Sequence, residues 1–334
     1  MKETTLIVIS PLAMQRKLAG VMLSRLMSRG QLELEAAMLV NLSAADQNGL
    51  STAIPTIADW DMASGNTAML ALLAGENAAD KVQTLNADLE FSLGAGLIAS
   101  PAAAQLKASL QLVSNMTRRD NLLCAAPAAG EERTLLIIKP ENFRAPSVRP
   151  GAIIDMLMSL DLKWVGCKVH GMTIADALEF YGPVRQALRS KLGPKIGTKA
   201  LAAVEKDFDF KFLPAEADKF IECAGNGFAD DQFEQIVEFM AGKRPSEVPE
   251  NELDLPGGAK CMVLIFDGVD AVAKIRTILG PTNPAQATGG TVRYDFGTNI
   301  MVNASHASDS VESYEREGRI VRVNENKISE LAAL

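Results

Sequence analysis

The chain has 334 residues, enough for two domains with their own cores, and its 48% hydrophobic content excludes a disordered polypeptide. A formal net charge of −8 argues against a nucleic-acid-binding surface, and no run approaches about 18 apolar residues, which excludes a membrane-spanning helix. Four cysteines (Cys124, Cys167, Cys223, Cys261) stand far apart with no C-x-x-C pair, so they read as reduced thiols of a cytoplasmic protein rather than a zinc site.

Residues 6–9 (LIVI) are an apolar, largely β-branched run closed by Ser10-Pro11, which predicts a first strand, too short for a signal peptide. Val21, Met22, Leu26 and Met27 recur at helical spacing and stop at Gly30. Residues 32–40 read as a second strand or a mixed segment. After a loop at 48–55, residues 68–73 form a continuous apolar run that predicts a buried strand, followed by a helix over about 77–85. Leu97 and Ile98 predict a last strand and residues 102–112 a last helix. The Ala/Pro-rich stretch 122–130 is the expected linker.

The pattern then begins again. Residues 133–140 (RTLLIIKP) align with 4–11 (TTLIVISP), 151–157 (GAIIDML) with 20–26 (GVMLSRL), and the run starting at Cys261 with the run starting at Ala68. Three matches in one order predict an internal duplication; the alternative is that any two strand–helix units look alike. The implied fold is α+β, an antiparallel ferredoxin-like sheet with flanking helices in each half. The predicted domains are 1–125 and 131–334, the second with an insertion at about 184–230. That insertion mixes charges with apolar residues and reads as packed helices. Two glycine-rich stretches, residues 193–199 (GPKIGTK) and Gly94-Ala95-Gly96, have the wrong spacing for nucleotide loops and read as turns.

The chemistry gathers in residues 291–310, TVRYDFGTNIMVNASHASDS. This stretch holds His306, one of two histidines, with Arg293, Asn303, Ser308, Asp309 and Ser310 nearby. A neutral imidazole is nucleophilic near pH 7 and a guanidinium presents a planar fork to oxyanions, a combination suited to accepting a phosphoryl group. Taken alone, a single histidine is more often an ordinary partly buried residue. The other histidine, His170, falls in a predicted strand and reads as structural.

T-[IV]-R-x-D-F followed by N-x-x-H-x-S-D-S resembles the active-site segment of nucleoside diphosphate kinases, and the resemblance extends from Arg133 to about Val323. It implies a kinase that passes the γ-phosphate of a nucleoside triphosphate to a nucleoside diphosphate through a phosphohistidine at His306, using Mg²⁺. By the same resemblance, Lys139 in Ile-Lys-Pro would lie on the phosphates, and Tyr181 close to the histidine. Arg276 and Thr282, in the run 276–285 (RTILGPTNPA), would hold phosphates together with Arg293. Asn303 would contact the sugar, Glu317 would orient the ring, and Asp309 would reach the metal through water. The expected ligands are nucleoside tri- and diphosphates, and the family implies a homo-oligomer. Without that context, Lys139 could merely end a strand, Arg276 could be a solvated helix residue, and Tyr181 a core ring.

Several positions depart from the family pattern. Ala307 replaces a glycine, Val302 an arginine, Tyr294 a glycine, and Gln232 stands where an aromatic clamp for the base is usual. Tyr294 is large enough to intrude on the site. Phe228 or Phe233 is the expected substitute for the clamp. The first half has Ser10 for Lys139, Gln83 for Arg276 and Ala99 near the histidine position, so it reads as a copy without catalytic residues. These departures also support a second expectation, a nucleotide-binding regulatory or scaffolding protein with little turnover.

Overall fold

Alternate residues of the first apolar run serve two cores, which is why it carries no polar positions. Ile7 and Ile9 pack with Met22, Leu23 and Leu26, whereas Leu6 and Val8 pack with Leu50, Ile57, Trp60 and Val113. These are seen in a computed structural model that describes residues 2–62, 65–116, 121–326 and 328. The described first half contains β1 (Lys2–Ile9), α1 (Pro11–Gln15), α2 (Ala19–Gly30), β2 (Glu33–Asn41) and α3 (Ala44–Ser51). It continues with β3 (Thr67–Glu76), α4 (Ala78–Leu93), β4 (Ile98–Ala99) and α5 (Leu106–Met116). Its strands pair antiparallel in the order β2-β3-β1-β4, the ferredoxin-like arrangement. The ambiguous segment at 32–40 is a strand because both of its faces are covered. The helix expected to end near residue 85 runs on to Leu93, and the last helix begins as a 3₁₀ turn at Ala103–Gln105.

After the linker come β5 (Glu132–Ile138), α6 (Arg149–Met158) and β6 (Lys163–His170). They are followed, beyond residue 260, by β7 (Cys261–Gly268), α11 (Ala271–Leu279), α12 (Val292–Phe296), β8 (Ser305–Ala307) and α13 (Val311–Ile320). This sheet has the order β6-β7-β5-β8, again antiparallel, matching the first strand for strand. Small irregularities match too. The register slips once between Leu34 and Ala36 on β2 and once between Trp164 and Gly166 on β6. The helices α4 and α11 each start after a left-handed residue, Asn77 at φ 53° and Asp270 at φ 52°. One continuous apolar core joins both halves, from Ile7, Leu26 and Leu73 to Leu136, Ile154 and Phe266. Met1–His170 and Cys261–Leu334 accordingly form one compact unit.

The second compact unit is Gly171–Lys260. It holds α7 (Ile174–Phe180), α8 (Gly182–Lys191), α9 (Gly193–Asp207) and α10 (Pro214–Ala241), so the inserted stretch is helical as its composition predicts. Thr173 and Asp176 form a capping box that starts α7. Gly193, Gly197 and Gly225 let α9 and α10 approach backbone to backbone; a Cβ at Gly197 would collide with the Ile221 carbonyl. Phe212 lies 4.8 Å from Phe210 and 5.2 Å from Phe220 between ring centroids, a small aromatic cluster at the turn between those helices. GPKIGTK forms no phosphate loop, but it is not the turn its glycines suggest: it opens α9, with Pro194 in the first turn where proline is tolerated. No helix among the described residues is long and apolar enough to cross a membrane.

Candidate active site

The short strand β8 is the geometric origin of the site. Ile137 of β5 faces His306 in the ladder, and Leu136 faces Ala307. Ala307 packs into the core, so strand alternation turns the intervening His306 side chain to the other face, where it is 24% exposed. There its Nε2 lies 2.9 Å from Glu317 Oε2. Glu317, only 3% exposed on α13, also accepts from Ser308 Oγ at 2.8 Å, and its second oxygen from Arg316 at 3.2 Å. Ser310 caps α13 by accepting from the Ser313 amide at 3.1 Å, which fixes the helix that carries Glu317.

A second group converges on the end of β5. Lys139 Nζ donates to Asn303 Oδ1 at 2.7 Å and to the Met301 carbonyl at 3.0 Å. Asn303 in turn donates to the carbonyl of Thr282 at 2.9 Å and to that of Ile300 at 2.8 Å. Burial pushes the Lys139 ammonium down to about 8, with Glu141 opposing the shift and Arg293 adding to it. Arg293, on α12, donates to the Gly280 carbonyl at 2.7 Å and the Ser305 carbonyl at 3.3 Å. Burial, with Arg276 nearby, lowers this guanidinium to about 10. Asp309 sits below its ordinary value because Ser313 donates to it, with Arg276 and His306 contributing. Thus Thr282, Asn303, Lys139, Arg293, Arg276, Asp309, His306 and Glu317 form one sequence of neighbours. A cleft of about 480 Å³ opens beside them, lined by Arg276, Asp309, Glu132, Asp270 and Glu312 among others.

Two departures lie in different surroundings. Tyr294, on α12, is 56% exposed. Ala307 fits its buried place without a left-handed backbone. Tyr181, Phe228 and Phe233 belong to the second unit. Tyr181 is buried with its ring 4.9 Å from that of Phe180. Phe233 is only 3% exposed and has the Arg185 guanidinium 5.5 Å over its ring, which corrects its candidacy for stacking on a base. Phe228 is 38% exposed and keeps that candidacy. His170 is buried at the end of β6, as a structural histidine would be.

Sequence reasoning missed Glu141, Asn142 and Arg149. Glu141 Oε1 accepts from the Ala304 amide at 2.8 Å, and Asn142 Nδ2 donates to the carbonyls of Ala304 at 2.9 Å and Lys139 at 3.1 Å. Arg149 holds Asn142 Oδ1 at 3.0 Å, donates to the Phe296 carbonyl, and lies 5.3 Å over the Phe296 ring. Their partners are mainly backbone groups, and no side-chain pattern announces those. Ala304 itself has φ 69°, a conformation costing an L-residue about 1–2 kcal/mol.

Comparison with known proteins places these residues in context. Residues 233–326 match the family model described as nucleoside diphosphate kinase. The chain is 28% identical over 187 residues to a nucleoside diphosphate kinase of Helicobacter pylori (strain P12), covering 56% of this chain and 92% of that one. It is 29% identical over 186 residues to one from Campylobacter concisus, covering 56% and 91%. Among solved structures, an NDP kinase from Pyrobaculum aerophilum aligns with TM-score 0.38 and 23% identity, over 58% of this chain and 99% of that one.

Proposed function

We propose that this chain, whose second half belongs to the nucleoside diphosphate kinase family, passes the γ-phosphate of a nucleoside triphosphate to a nucleoside diphosphate through His306. The observation that carries the reading is the 2.9 Å contact between His306 Nε2 and Glu317, at one end of a run of cationic and amide donors. With Glu317 as acceptor, the ring keeps its proton on Nε2 and its lone pair on Nδ1. That lone pair attacks the γ-phosphorus, the bond to the β-phosphate oxygen breaks, and the diphosphate leaves. The nitrogen–phosphorus bond is then broken by the terminal oxygen of a second diphosphate in the same place. Glu317 stabilises the positive charge the ring acquires.

Phosphoryl transfer asks the protein chiefly for alignment and charge neutralisation. Lys139, Arg276 and Arg293 supply the charges, Thr282 a hydroxyl, and Asn303 a sugar contact. Tyr181 belongs to this set by resemblance, and Phe228, which is exposed and stands in for the clamp the family places at Gln232, is proposed as a surface for the base. Mg²⁺ is part of the proposal. Asp309 lies beside Arg276 and His306, and among the described residues no group of three or more His, Cys, Asp or Glu could hold a metal ion. Such a donor set fits a water-mediated contact to an ion carried by the nucleotide's own phosphates, where it would neutralise their charge. The first half, with Ser10, Gln83 and Ala99 at the corresponding places, is proposed as a copy without activity.

A second reading, nucleotide binding with little turnover, draws on one observation: Lys139 and Arg293 give hydrogen bonds to the carbonyls of Met301, Gly280 and Ser305. Incubation with γ-labelled ATP and Mg²⁺ separates the two. The kinase reading requires an acid-labile, base-stable phosphoprotein that ADP discharges. A protein that binds ATP without acquiring label contradicts it.

A further inference from the structure

Ala304 is bound on both sides by one four-residue segment, 139–142. Its amide donates to Glu141 Oε1 at 2.8 Å, and its carbonyl accepts from the Lys139 amide and from Asn142 Nδ2, each at 2.9 Å. The residue so held is completely buried, has φ 69°, and stands two residues before His306. Ser305, the residue between, contributes its carbonyl to Arg293. A change of backbone at Ala304 therefore moves both the imidazole and an acceptor of Arg293.

The other half of the chain supplies an internal control. The Ser10 amide donates to the Leu97 carbonyl at 2.9 Å, as the Lys139 amide does to that of Ala304, so Leu97 is the counterpart of Ala304. Leu12 and Ala13 then stand where Glu141 and Asn142 do. Neither can hold a strained amide or carbonyl, and Leu97 is not left-handed; the left-handed residue there is Gly96, at φ 73°. The half with a histidine carries both the strained alanine and its clamp, and the half with Ala99 in that place carries neither.

We infer that Glu141 is a positioning residue, whose carboxylate holds Ala304 in its left-handed conformation and thereby sets the His306 ring for attack. The inference rests on the kinase reading above. Charge is not its primary means. Glu141 does oppose the lowering of Lys139, so a variant that keeps the acceptor and drops the charge is informative.

The experiment compares Glu141→Ala, Glu141→Gln and the double variant Glu141→Ala with Ala304→Gly in the full chain. Steady-state exchange and hydrogen exchange of the segment 301–308 are measured for each. Glu141→Ala is expected to lower kcat by about 10²-fold, the scale of a misplacement near 1 Å, with KM for nucleotide little changed. It also speeds exchange at the Ala304 amide. Glu141→Gln keeps an acceptor and recovers most of kcat. The double variant recovers it too, because glycine adopts the conformation unaided. Unchanged kcat in Glu141→Ala overturns the inference, as does a Glu141→Gln loss equal to that of Glu141→Ala, or failure of Ala304→Gly to rescue. If the unaltered protein takes no label, the kinase reading fails by itself. Hydrogen exchange then decides the clamp: faster exchange in Glu141→Ala that Ala304→Gly leaves unaltered supports it, and unchanged exchange overturns it.

Discussion

Gly20 of α2 and Gly151 of α6 meet backbone to backbone: a Cβ on Gly20 would lie 2.5 Å from the Gly151 carbonyl oxygen and 2.6 Å from the Asp155 amide. The relation is reciprocal, since a Cβ on Gly151 would run into Gly20 and Ser24. Ser24 Oγ also donates across this crossing to the Val148 carbonyl at 3.1 Å. Two helices at corresponding positions of two matching sheets thus cross at Gly20 and Gly151, over the shared core.

Gly20→Ala tests the crossing. On helix propensity alone the change would stabilise by about 0.8–1.0 kcal/mol. The clash with backbone atoms reverses that sign, and a net destabilisation of about 1–3 kcal/mol is expected from the forced shift. Chemical denaturation of the full chain measures it. A gain in stability would show that α2 and α6 do not pack this closely.

In the phosphate-binding role proposed for it, Lys139 is expected to give the site a pH dependence. Burial lowers its value to about 8, so the group is charged at pH 7 and loses its proton as pH rises through about 8. Only the charged form attracts a triphosphate. The KM for nucleotide is therefore expected to be flat below that value and to rise up to about tenfold per pH unit above it. A KM independent of pH between 7 and 10 would remove Lys139 from the phosphate site.

Glu317→Gln probes the acceptor of the His306 ring. The amide can still accept from Ser308 but offers no charge to a ring that becomes positive. The kcat is expected to fall by about 10–10²-fold with KM nearly constant, the pattern of an interaction realised in the transition state. His306→Ala should abolish the phosphoprotein outright. An equal rise in KM with kcat preserved would place Glu317 in nucleotide binding instead.

The strands and the histidine segment were legible because each leaves a side-chain signature. Residues 6–9 and 135–138 are apolar at every position, since both faces of each sheet are covered, and Asn303, His306 and Glu317 keep a recognisable spacing. Other parts were not legible. Glu141 and Asn142 act on the amide and carbonyl of Ala304, and nothing in an alanine announces a left-handed backbone. The exposure of Tyr294 and the burial of Phe233 depend on how short helices turn, which residue type alone does not fix. The full extent of α4 was not legible because its later turns, residues 86–93 (NADLEFSL), alternate polar and apolar residues with a period of two rather than 3.6.

Arg133 and Asp267 face each other across β5 and β7 and are joined by two hydrogen bonds of 2.7 and 2.8 Å, at 5% and 1% exposure. Arg133 also donates to the carbonyls of Cys124 and Ala125, tying the linker to the second sheet. Asp267→Ala would leave a buried guanidinium without its carboxylate, which costs about 3–5 kcal/mol. Thermal unfolding of the variant checks this, and a change below about 1 kcal/mol would mean the pair is solvated in solution.

The last prediction concerns how many nucleotides one chain binds. Val8 faces Ala99 on β4 just as Ile137 faces His306 on β8, so the two sheets share one register and Ala99 occupies the histidine position. Gln83 follows the left-handed Asn77 at the interval by which Arg276 follows Asp270. Ser10 takes the place of Lys139. Two cations and the imidazole are therefore replaced by neutral groups, and some of these are already engaged. Gln83 donates to the Ser100 carbonyl at 3.0 Å and to its Oγ at 3.1 Å, and Asn86 donates to the same Oγ at 2.8 Å. Each lost charge-assisted contact is worth roughly 1.5–3 kcal/mol, so the pair lowers affinity by about two to four orders of magnitude. Calorimetric titration of the full chain with a non-hydrolysable triphosphate should accordingly give one site per chain, and Arg276→Ala should weaken that site without exposing another. Two sites of similar affinity would mean that the first half binds nucleotide through groups other than the counterparts of Lys139, Arg276 and His306.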